Sequence, residues 1–395
     1  MFIHSVKLEN ILSFGPDSQE LELKPLNVLI GPNGSGKSNL IEVIGLLRAA
    51  PSDVTAPMRE GGGSENWLWR GEPRAEEARV EVVVERRRRS RTKLLRYSIS
   101  LDPFFWDSPF LNEELREDVP TESAEDEAER YLKRRGKKVI LSYLDENRNR
   151  KQRELPASEI ESDRSILSQL KDPIQYPELT LVGTRLAEIR LYREWSFGRN
   201  TPPRLQQKAD LPNHSLAEDG RNLGMVLNRL DGNLKAKRQL LTALQKLYHG
   251  IDDYYVQVEA GSVQVFLKEG NLTIPATRLS DGTLRYLCLL AILCNPSLPP
   301  LVCLEEPELG LHPDILPGLA DLLREASERC QLIVTTHSDT LVDALTDTPE
   351  SIVICEKDNG QTKLKRLDKD ELSHWLEKYR LGELWTSGEL GGNRW

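Results

Sequence analysis

Apolar residues occur along this chain in two patterns, short continuous runs and longer stretches with a helical period. Continuous runs at Leu26–Ile30 and at residues 301–304 and 332–336 predict strands that are buried on both faces. Further segments predict strands at residues 3–8, 21–23, 254–258, 263–267 and 352–355, and a hairpin from residues 79–85 and 94–101. A helical pattern dominates residues 39–44, 165–193, 223–247 and 284–293, so the chain is predicted to be an α/β protein.

Two polar stretches interrupt these patterns. Residues 112–129 are rich in acids, contain Pro120 and have few large apolar side chains, which predicts an exposed or mobile excursion. Residues 198–212 include Pro202 and Pro203 and predict a polar loop. The sequence contains no internal repeat and no heptad array long enough for a coiled-coil arm.

The stretch Gly-Pro-Asn-Gly-Ser-Gly-Lys-Ser at residues 31–38 fits the phosphate-loop pattern G-x-x-x-x-G-K-[ST]. It lies between a predicted strand and a predicted helix, which is the context that this pattern requires. Glycines let successive N–H groups face the phosphates, Lys37 would reach the β and γ groups, and the Ser38 hydroxyl would bind Mg²⁺. We therefore expect a nucleoside triphosphate to be bound by Gly31, Pro32, Asn33, Gly34, Ser35, Gly36, Lys37, Ser38 and Asn39.

Two acids follow the predicted strand at residues 301–304. Glu305 and Glu306 would lie at the carboxyl end of this strand, where open α/β sheets bind their ligands. The first would hold the metal and the second would polarise the attacking water. Another buried strand delivers His337 to the same edge, and Ser280 and Gly282 begin a helix whose amides can face an anion.

Each of these residues also has a plainer structural explanation. The two glutamates could merely cap a loop, but consecutive acids after four apolar residues have little structural reason to exist, which favours a functional role. His337 could be an ordinary buried histidine, and Ser280 could be only a helix cap, a role that is compatible with phosphate binding. His312 is expected to be structural and to fix the loop before Pro313.

The order of these motifs, a phosphate loop, a long insertion, L-S-[GD]-G-x, E-E-P-E and T-T-H-S, resembles the ABC-type ATPases of the RecF, SMC and OLD-nuclease group. The chain is similar also to stand-alone bacterial AAA family ATPases that carry E-E-P-E-x-G-x-H-P and end in G-E-L-W…L-G-G, and this similarity spans residues 8–392. The resemblance implies that Ser280 and Gly282 are signature residues that complete the site of a second subunit. It also implies a D-loop at residues 309–313 and a switch role for His337. One departure is Glu305, which stands where the group usually has aspartate, so the metal geometry is expected to differ slightly.

The resemblance further implies an α/β fold, an ABC-type P-loop ATPase head with a mixed central sheet, flanking helices, a helical lobe and an antiparallel β subdomain. We expect the N-terminal half of the head, with the phosphate loop and the β subdomain, at residues 1–110. The acidic excursion and the helical lobe would occupy residues 111–250, and the C-terminal half of the head residues 251–395. A Q-loop glutamine should contact Mg²⁺ and the attacking water, and we assign Gln169 to this role, with Gln175 as the second choice.

Length and composition agree with this assignment. The chain has 395 residues, of which 38% are hydrophobic, and this is enough for a large core. No apolar run has the length of a membrane span and the N-terminus lacks signal-peptide features, so we expect a soluble, cytoplasmic protein. The cysteines show no C-x-x-C spacing and are expected to be buried and reduced: Cys288, Cys294, Cys303, Cys330 and Cys355.

One basic cluster contrasts with the net charge of −9. Residues 86–93, from Arg86 to Lys93, place six positive charges between the two hairpin strands. Such a run could follow the phosphates of DNA or RNA. It could equally be a solvated hairpin tip or a patch that pairs with the acidic segment at residues 112–129, because charge alone is a weak indicator of nucleic-acid binding.

Together these features predict ATP hydrolysis with Mg²⁺ at the interface of a head-to-tail homodimer or a higher oligomer. Glu306 would orient the attacking water, Lys37 would balance the charge of the transferred phosphoryl group, and His337 would sense the γ-phosphate. The resemblance implies a conformational switch in DNA repair or anti-phage defence, with a separate effector such as a nuclease. Two alternatives stay open: a scaffold that clamps ATP without hydrolysing it, and an ATPase of an OLD-like nuclease system. A fused nuclease would need a further domain after Cys355, where about forty residues follow.

Overall fold

A computed structural model describes residues 1–72, 75, 77–88, 91–101, 111–119 and 128–392. The strands are β1 Ile3–Glu9, β2 Leu21–Glu22, β3 Leu26–Ile30, β4 Ala78–Arg88, β5 Arg91–Leu101, β6 Leu111–Glu117, β7 Arg130–Arg135, β8 Lys138–Leu144, β9 Arg150–Leu155, β10 Arg190–Tyr192, β11 Gln207–Lys208, β12 Asp253–Glu259, β13 Ser262–Glu269, β14 Leu272–Pro275, β15 Leu301–Glu305, β16 Gln331–Thr335, β17 Ile352–Asp358 and β18 Gln361–Arg366. The helices are α1 Lys37–Ala49, α2 Ala56–Glu60, α3 Ile166–Gln169, α4 Pro177–Ala187, α5 Leu223–Asp231, α6 Leu234–Leu247, α7 Asp281–Leu293, α8 Leu316–Ser327, α9 Asp339–Asp343, α10 Lys369–Leu376 and α11 Leu381–Ser387.

The central sheet has six strands in the order β10-β15-β16-β3-β17-β18. The first five run parallel to one another, and β18 closes one edge antiparallel to β17. The strands predicted at Leu26–Ile30 and near residues 301 and 332 therefore become three adjacent strands. Because their carboxyl ends meet at one edge of the sheet, the residues that follow them share one site.

Both faces of this sheet are buried, which explains the continuous apolar runs. On one face Val28, Ile30 and Val302 join a core that includes residues of α5, α6, α7 and α8. On the other face Leu29 and Leu301 join a core shared with α1 and the larger antiparallel sheet. Fully burying a side chain of this kind contributes roughly 1.5–3 kcal/mol, so the sheet is a firm platform for the loops at its edge.

The second sheet has eight antiparallel strands in the order β2-β1-β4-β5-β6-β7-β8-β9. It contains the predicted hairpin, as β4 and β5, but it also contains β6, so the prediction of an exposed excursion was wrong for residues 112–117. Leu111, Glu113 and Leu115 alternate inward, and the Glu113 carboxylate pairs with fully buried Arg134 at 3.4 Å. This partner lies in β7, so the acidic composition alone gave no sign of the pairing. Residues 120–127 of the predicted excursion lie outside the described residues.

The helical stretches are confirmed in part. Residues 223–247 form α5 and α6, which are separated at Gly232 and Asn233, where the Asn233 side chain accepts a hydrogen bond from Ala236 N and caps α6. Residues 165–193 contain α3 and α4, but their last part is the edge strand β10, so the helical prediction was wrong there. The division into three parts at residues 110 and 250 stays a prediction, and the eight-stranded sheet runs across the first boundary.

A smaller sheet consists of β11, β12, β13 and β14, which precede α7 in the chain. Strand β11 lies within residues 198–212, which were predicted to be a polar loop. The five cysteines are buried and unpaired with one another, and burial raises the pKa of Cys294, Cys330 and Cys355 to about 12. They are therefore protonated core residues, as predicted. Among the described helices, none combines the length and the apolar character needed to cross a bilayer.

Candidate nucleotide site

The phosphate loop connects β3 to α1 and depends on glycines at positions that other residues could not occupy. Gly31, Gly34 and Gly36 have φ values of 148°, 75° and 103°. A Cβ atom at Gly31 would lie 2.1 Å from the carbonyl oxygen of Cys355, and one at Gly36 would lie 2.2 Å from Thr362 Oγ1. At Gly34, by contrast, nothing lies within 4 Å, so the space at the tip of the loop is open to a ligand.

Lys37 lies inside the loop. Its ammonium donates hydrogen bonds to the carbonyl oxygens of Gly31 at 2.8 Å and Pro32 at 2.9 Å. Burial lowers the pKa of Lys37, and the electrostatic influence of Cys355, Glu306 and Glu305 opposes this shift. The ammonium and the two predicted site carboxylates therefore lie within electrostatic reach of one another.

Two residues from distant parts of the chain support the loop. Thr362 Oγ1, in β18, donates to the carbonyl oxygen of Ser35 at 2.8 Å and contacts Ser13 Oγ at 2.7 Å. Asn39 Nδ2 donates to the same Ser13 oxygen at 2.7 Å. The Ser35 hydroxyl itself is buried and makes no hydrogen bond. Ser13 and Thr362 could not be predicted as part of the site, because neither belongs to a local motif and only the fold brings them together.

The two consecutive glutamates differ in conformation. Glu305 ends β15, whereas Glu306 turns out of the strand with φ of 45°, a left-handed conformation that is uncommon for a residue with a side chain. Its backbone N–H donates to the carbonyl oxygen of Thr335 at 3.0 Å, which fixes the turn. The turn brings Glu306 Oε1 to 3.5 Å from His337 Nε2. The predicted base and the predicted switch residue are thus neighbours. Residues with a left-handed backbone, such as Glu306, occur often at functional sites.

Glu308 is a site residue that sequence analysis did not select. Its carboxylate accepts hydrogen bonds from Thr336 Oγ1 at 2.6 Å and from the backbone N–H of His337 at 2.9 Å. Burial raises the pKa of Glu308, because these donors only partly compensate for the lost solvent. The available signal was its place in the E-E-P-E segment, next to the two acids that were selected.

The predicted signature residues, Ser280 and Gly282, lie at the start of α7. The Ser280 side chain is the cap that was predicted, since Oγ accepts from the backbone N–H of Thr283 at 3.1 Å. Gly282 lies so close to the loop after Glu308 that a Cβ atom there would be 2.6 Å from the carbonyl oxygen of Gly310. Ser280 is exposed, so the start of this helix faces solvent in the single chain.

Arg204 supports the start of α7 and was also missed. Its buried guanidinium donates to the carbonyl oxygen of Leu279 and to the carboxylate of Asp281, both at 2.5 Å. The residue lies in the segment that was predicted as a polar loop. No local pattern distinguishes this arginine from the exposed arginines of the chain.

The structure does not bring either predicted Q-loop glutamine to these residues. The Gln169 amide accepts from Glu161 N at 2.9 Å and donates to the carbonyl oxygen of Arg164 at 3.1 Å, so it stabilises the loop before α3. Gln175 follows a turn that is capped by Asp172. The side chain that contacts Glu305 is instead that of Arg193, whose Nε donates to Glu305 Oε2 at 2.8 Å.

The basic run does not present all of its charges to solvent. Arg86 is buried and pairs with Glu178 at 2.5 Å, and Lys93 pairs with Glu117 at 3.0 Å. The nucleic-acid prediction was therefore wrong for Arg86, and for Lys93 the alternative of pairing with the acidic segment is confirmed. The side chains of residues 87–91 lie outside the described part of the chain.

His312 has the structural role that was expected. Its Nδ1 accepts a hydrogen bond from the backbone N–H of Asp314 at 3.3 Å, and the ring caps the short turn that starts at Pro313. The imidazole is largely exposed and forms an ion pair with the Asp314 side chain when it is protonated.

The site fits a nucleotide and a hard divalent cation. Buried Ser35 Oγ lacks a partner, the tip at Gly34 is open, and Lys37 already bonds to two oxygens, which indicates a cradle for phosphate oxygens. Within the described residues no group of three His, Cys, Asp or Glu side chains forms a metal site. Mg²⁺ is usually bound by one or two protein oxygens together with phosphates and water. Ser38 and Glu305 supply oxygens of that kind.

Comparison with known proteins identifies the family. The family model described as "AAA domain, putative AbiEii toxin, Type IV TA system" matches residues 26–343. The chain belongs to this family. The matched segment contains the phosphate loop, the predicted signature, both glutamates and His337, so the predicted site residues lie within the family's domain, and the chain is an ATPase.

Solved SMC heads share the fold. The SMC head bound to the C-winged helix domain of ScpA is 15% identical with a TM-score of 0.59, and the match covers 94% of this chain and 99% of that one. A head with an extended coiled coil, bound to the C-terminal domain of ScpA from Pyrococcus furiosus, is 15% identical with a TM-score of 0.57, covering 95% and 99%. A head from Pyrococcus yayanosii is 12% identical with a TM-score of 0.53, covering 95% and 99%. No curated protein sequence gives a match. The chain thus has the fold of SMC heads, which is the fold class that the motif order predicted.

Proposed function

We propose that this ATPase binds ATP with Mg²⁺ and hydrolyses it between two head-to-tail copies of the chain. The observation that carries hydrolysis is the approach of Glu306 to His337, at 3.5 Å, within electrostatic reach of Lys37. Glu306 would accept a proton from the attacking water, Lys37 would balance the charge of the terminal phosphate, and His337 would contact that phosphate. These are the roles that in-line phosphoryl transfer requires.

Mg²⁺ would be held by the Ser38 hydroxyl and the Glu305 carboxylate, together with phosphate oxygens. When bound, the metal neutralises charge on the phosphates and orients them for attack. The longer side chain of Glu305, relative to aspartate, lets it reach the metal directly or through water. Gln169 is not included in this set, because its amide is hydrogen-bonded to the backbone of Glu161 and Arg164.

The exposed start of α7 supports a composite site. Ser280 and Asp281 are exposed, and the amides of this first turn would meet the terminal phosphate held by the other copy. Gly282 also touches the loop that follows Glu308, so the signature of one site is in contact with the catalytic loop of the other. This contact offers a route by which ATP at one site influences the second.

Closure on ATP and reopening after hydrolysis would be the useful output, passed to a separate effector in anti-phage defence or DNA repair. A cytoplasmic location follows from these roles. A scaffold that clamps ATP without hydrolysis is the competing function. It is disfavoured by the pairing of Glu306 with His337, because a clamp without hydrolysis has no need for a base beside the switch residue.

A subunit-mixing experiment tests the composite site. Lys37→Ala and Ser280→Arg are each expected to abolish hydrolysis when assayed alone. In a mixed head-to-tail dimer, one site carries both lesions and the other carries neither. Up to half of the site activity should therefore return when the two variants are combined and subunit exchange is verified by pull-down of differently tagged chains.

The matched control is the pair Lys37→Ala and Glu306→Gln. Both residues belong to the same face of the site, so every site in their mixed dimer carries one lesion and activity should not return. Recovery in both pairs contradicts the composite site. Recovery in neither pair despite verified exchange means that the two sites are strictly coupled or that Ser280 acts in its own subunit. A wild type that binds ATP with Mg²⁺ but releases no phosphate would favour the scaffold.

A further inference from the structure

The Glu305 carboxylate, which we assign to the metal, forms an ion pair with Arg193. Arg193 Nε donates to Glu305 Oε2 at 2.8 Å, and the two side chains are only 30% and 16% exposed. The sheet builds this contact, because β10 pairs in parallel with β15 and Tyr192 lies opposite Leu304. Arg193, the residue after β10, therefore lies beside Glu305, the last residue of β15.

This contact conflicts with direct metal binding at the same carboxylate. A divalent cation on Glu305 would stand within a few ångströms of the guanidinium, and the two positive charges would repel each other. Arg193 and the metal therefore compete for the Glu305 carboxylate, and binding of one weakens binding of the other. A nucleotide changes this balance, because its phosphates bring negative charge together with the metal.

We propose that Arg193 and Mg²⁺ exchange at Glu305, so that the guanidinium holds this carboxylate until a nucleotide arrives with its metal and is then displaced. Arg193 is a positioning residue in this scheme, and it makes metal binding conditional on nucleotide binding. The inference rests on the proposed metal role of Glu305. A partly exposed ion pair of this kind should weaken the binding of a metal to the same carboxylate by about 1.5- to 5-fold.

The test measures the dissociation constant of a fluorescent, non-hydrolysable ATP analogue once with Mg²⁺ and once with EDTA. The constant in EDTA divided by the constant with Mg²⁺ gives the factor by which the metal strengthens nucleotide binding. In Arg193→Ala the ratio should rise about two- to fivefold, because the metal no longer displaces a cation. The matched control is Arg130→Ala, since Arg130 Nε donates to Glu114 at 3.1 Å with 36% and 20% exposure, far from the phosphate loop in sequence. This control should leave the ratio unchanged.

A second pair of variants separates exchange from a general effect of charge. In a Glu305→Gln background the Arg193→Ala change should no longer alter the ratio, whereas a general field effect would persist. Arg193→Lys, which retains the charge and loses the Nε contact, should give an intermediate ratio and covers the case in which the alanine variant folds poorly. An unchanged or lower ratio in Arg193→Ala, or a rise that persists without the Glu305 carboxylate, overturns the exchange. If wild type hydrolyses ATP and the mixing experiment succeeds while the ratio stays constant, only the exchange fails.

Discussion

The backbone N–H of His337 donates a hydrogen bond of 2.9 Å to the carboxylate of Glu308. The same carboxylate accepts from Thr336 Oγ1, so the residue two positions after the proposed base fixes the backbone that carries the switch histidine. A change in the loop that contains Glu306 is therefore transmitted directly to His337. This coupling does not pass through the side-chain contact between Glu306 and His337.

Glu308→Gln should reduce ATP turnover by about tenfold while leaving nucleotide affinity nearly unchanged. Glutamine keeps the size of the side chain but removes the charge, and hydrogen bonds to a charged group contribute roughly 1.5–3 kcal/mol. Losing part of this energy displaces His337 without touching the phosphate loop. Steady-state kinetics with a parallel binding assay tests the prediction, and a loss of affinity as large as the loss of turnover would contradict it.

The stability of the protein should show a matching dependence on pH. Burial raises the pKa of Glu308 above its ordinary value of 4.5, so the native state holds a proton that the unfolded chain has already released. Between 4.5 and the raised pKa, the stability contributed by this group falls as the pH rises. Glu308→Gln cannot lose this proton, and its stability relative to wild type should therefore increase from pH 4 to pH 7. Urea unfolding at several pH values measures the difference, and a constant or opposite trend would exclude this linkage.

Gly282→Ala should lower turnover at least tenfold, because the added methyl group would lie 2.6 Å from the carbonyl oxygen of Gly310 and must displace backbone. The matched control is Gly318→Ala, which also lies in the first turn of a helix, α8, where the nearest atom to a Cβ is the flexible Lys246 side chain at 3.6 Å. The control should keep its activity and gain up to about 1 kcal/mol of stability. Equal activity of the two variants would show that the contact at Gly310 has no role in turnover.

Lys37→Ala should reduce turnover by roughly 10²–10³ or abolish ATP binding, because it removes a fixed charge donor to the phosphates. Lys7→Ala is a suitable control, since Lys7 forms an ion pair with Glu9 at 2.6 Å in β1 and is not part of the loop. Phosphate release and equilibrium nucleotide binding are the measurements. Wild-type turnover in the Lys37 variant would refute the phosphate-loop assignment.

The parts of the site that could be predicted from the sequence are those in which neighbours along the chain act together. The phosphate loop, the glutamate pair and the Ser280 cap each lie within a few residues and follow recognisable patterns. Their assembly at one edge was also predictable, because continuous apolar runs indicate parallel strands whose carboxyl ends coincide. Family membership and the likeness to SMC heads confirm the predicted family and fold, whereas the roles of the individual site residues stay predictions.

The missed features depend on partners that are distant in sequence. β10 has only three residues and follows a helical stretch, and it becomes a strand because β15 offers an edge. β6 could not be recognised because its buried Glu113 requires Arg134 of the next strand. Arg193 was missed for a related reason, since its importance comes from the register between two strands and not from any motif around it.

The support of the phosphate loop by Ser13 and Thr362 has a consequence for the synthesis of the protein. The loop itself leaves the ribosome early, but the strand that carries Thr362 is made more than three hundred residues later. A growing chain can thus contain the complete phosphate-loop sequence and still lack the residues that hold it in shape. Because nucleotide affinity depends on this shape, we expect the growing chain to bind ATP tightly only after the strand that carries Thr362 has been made and has folded.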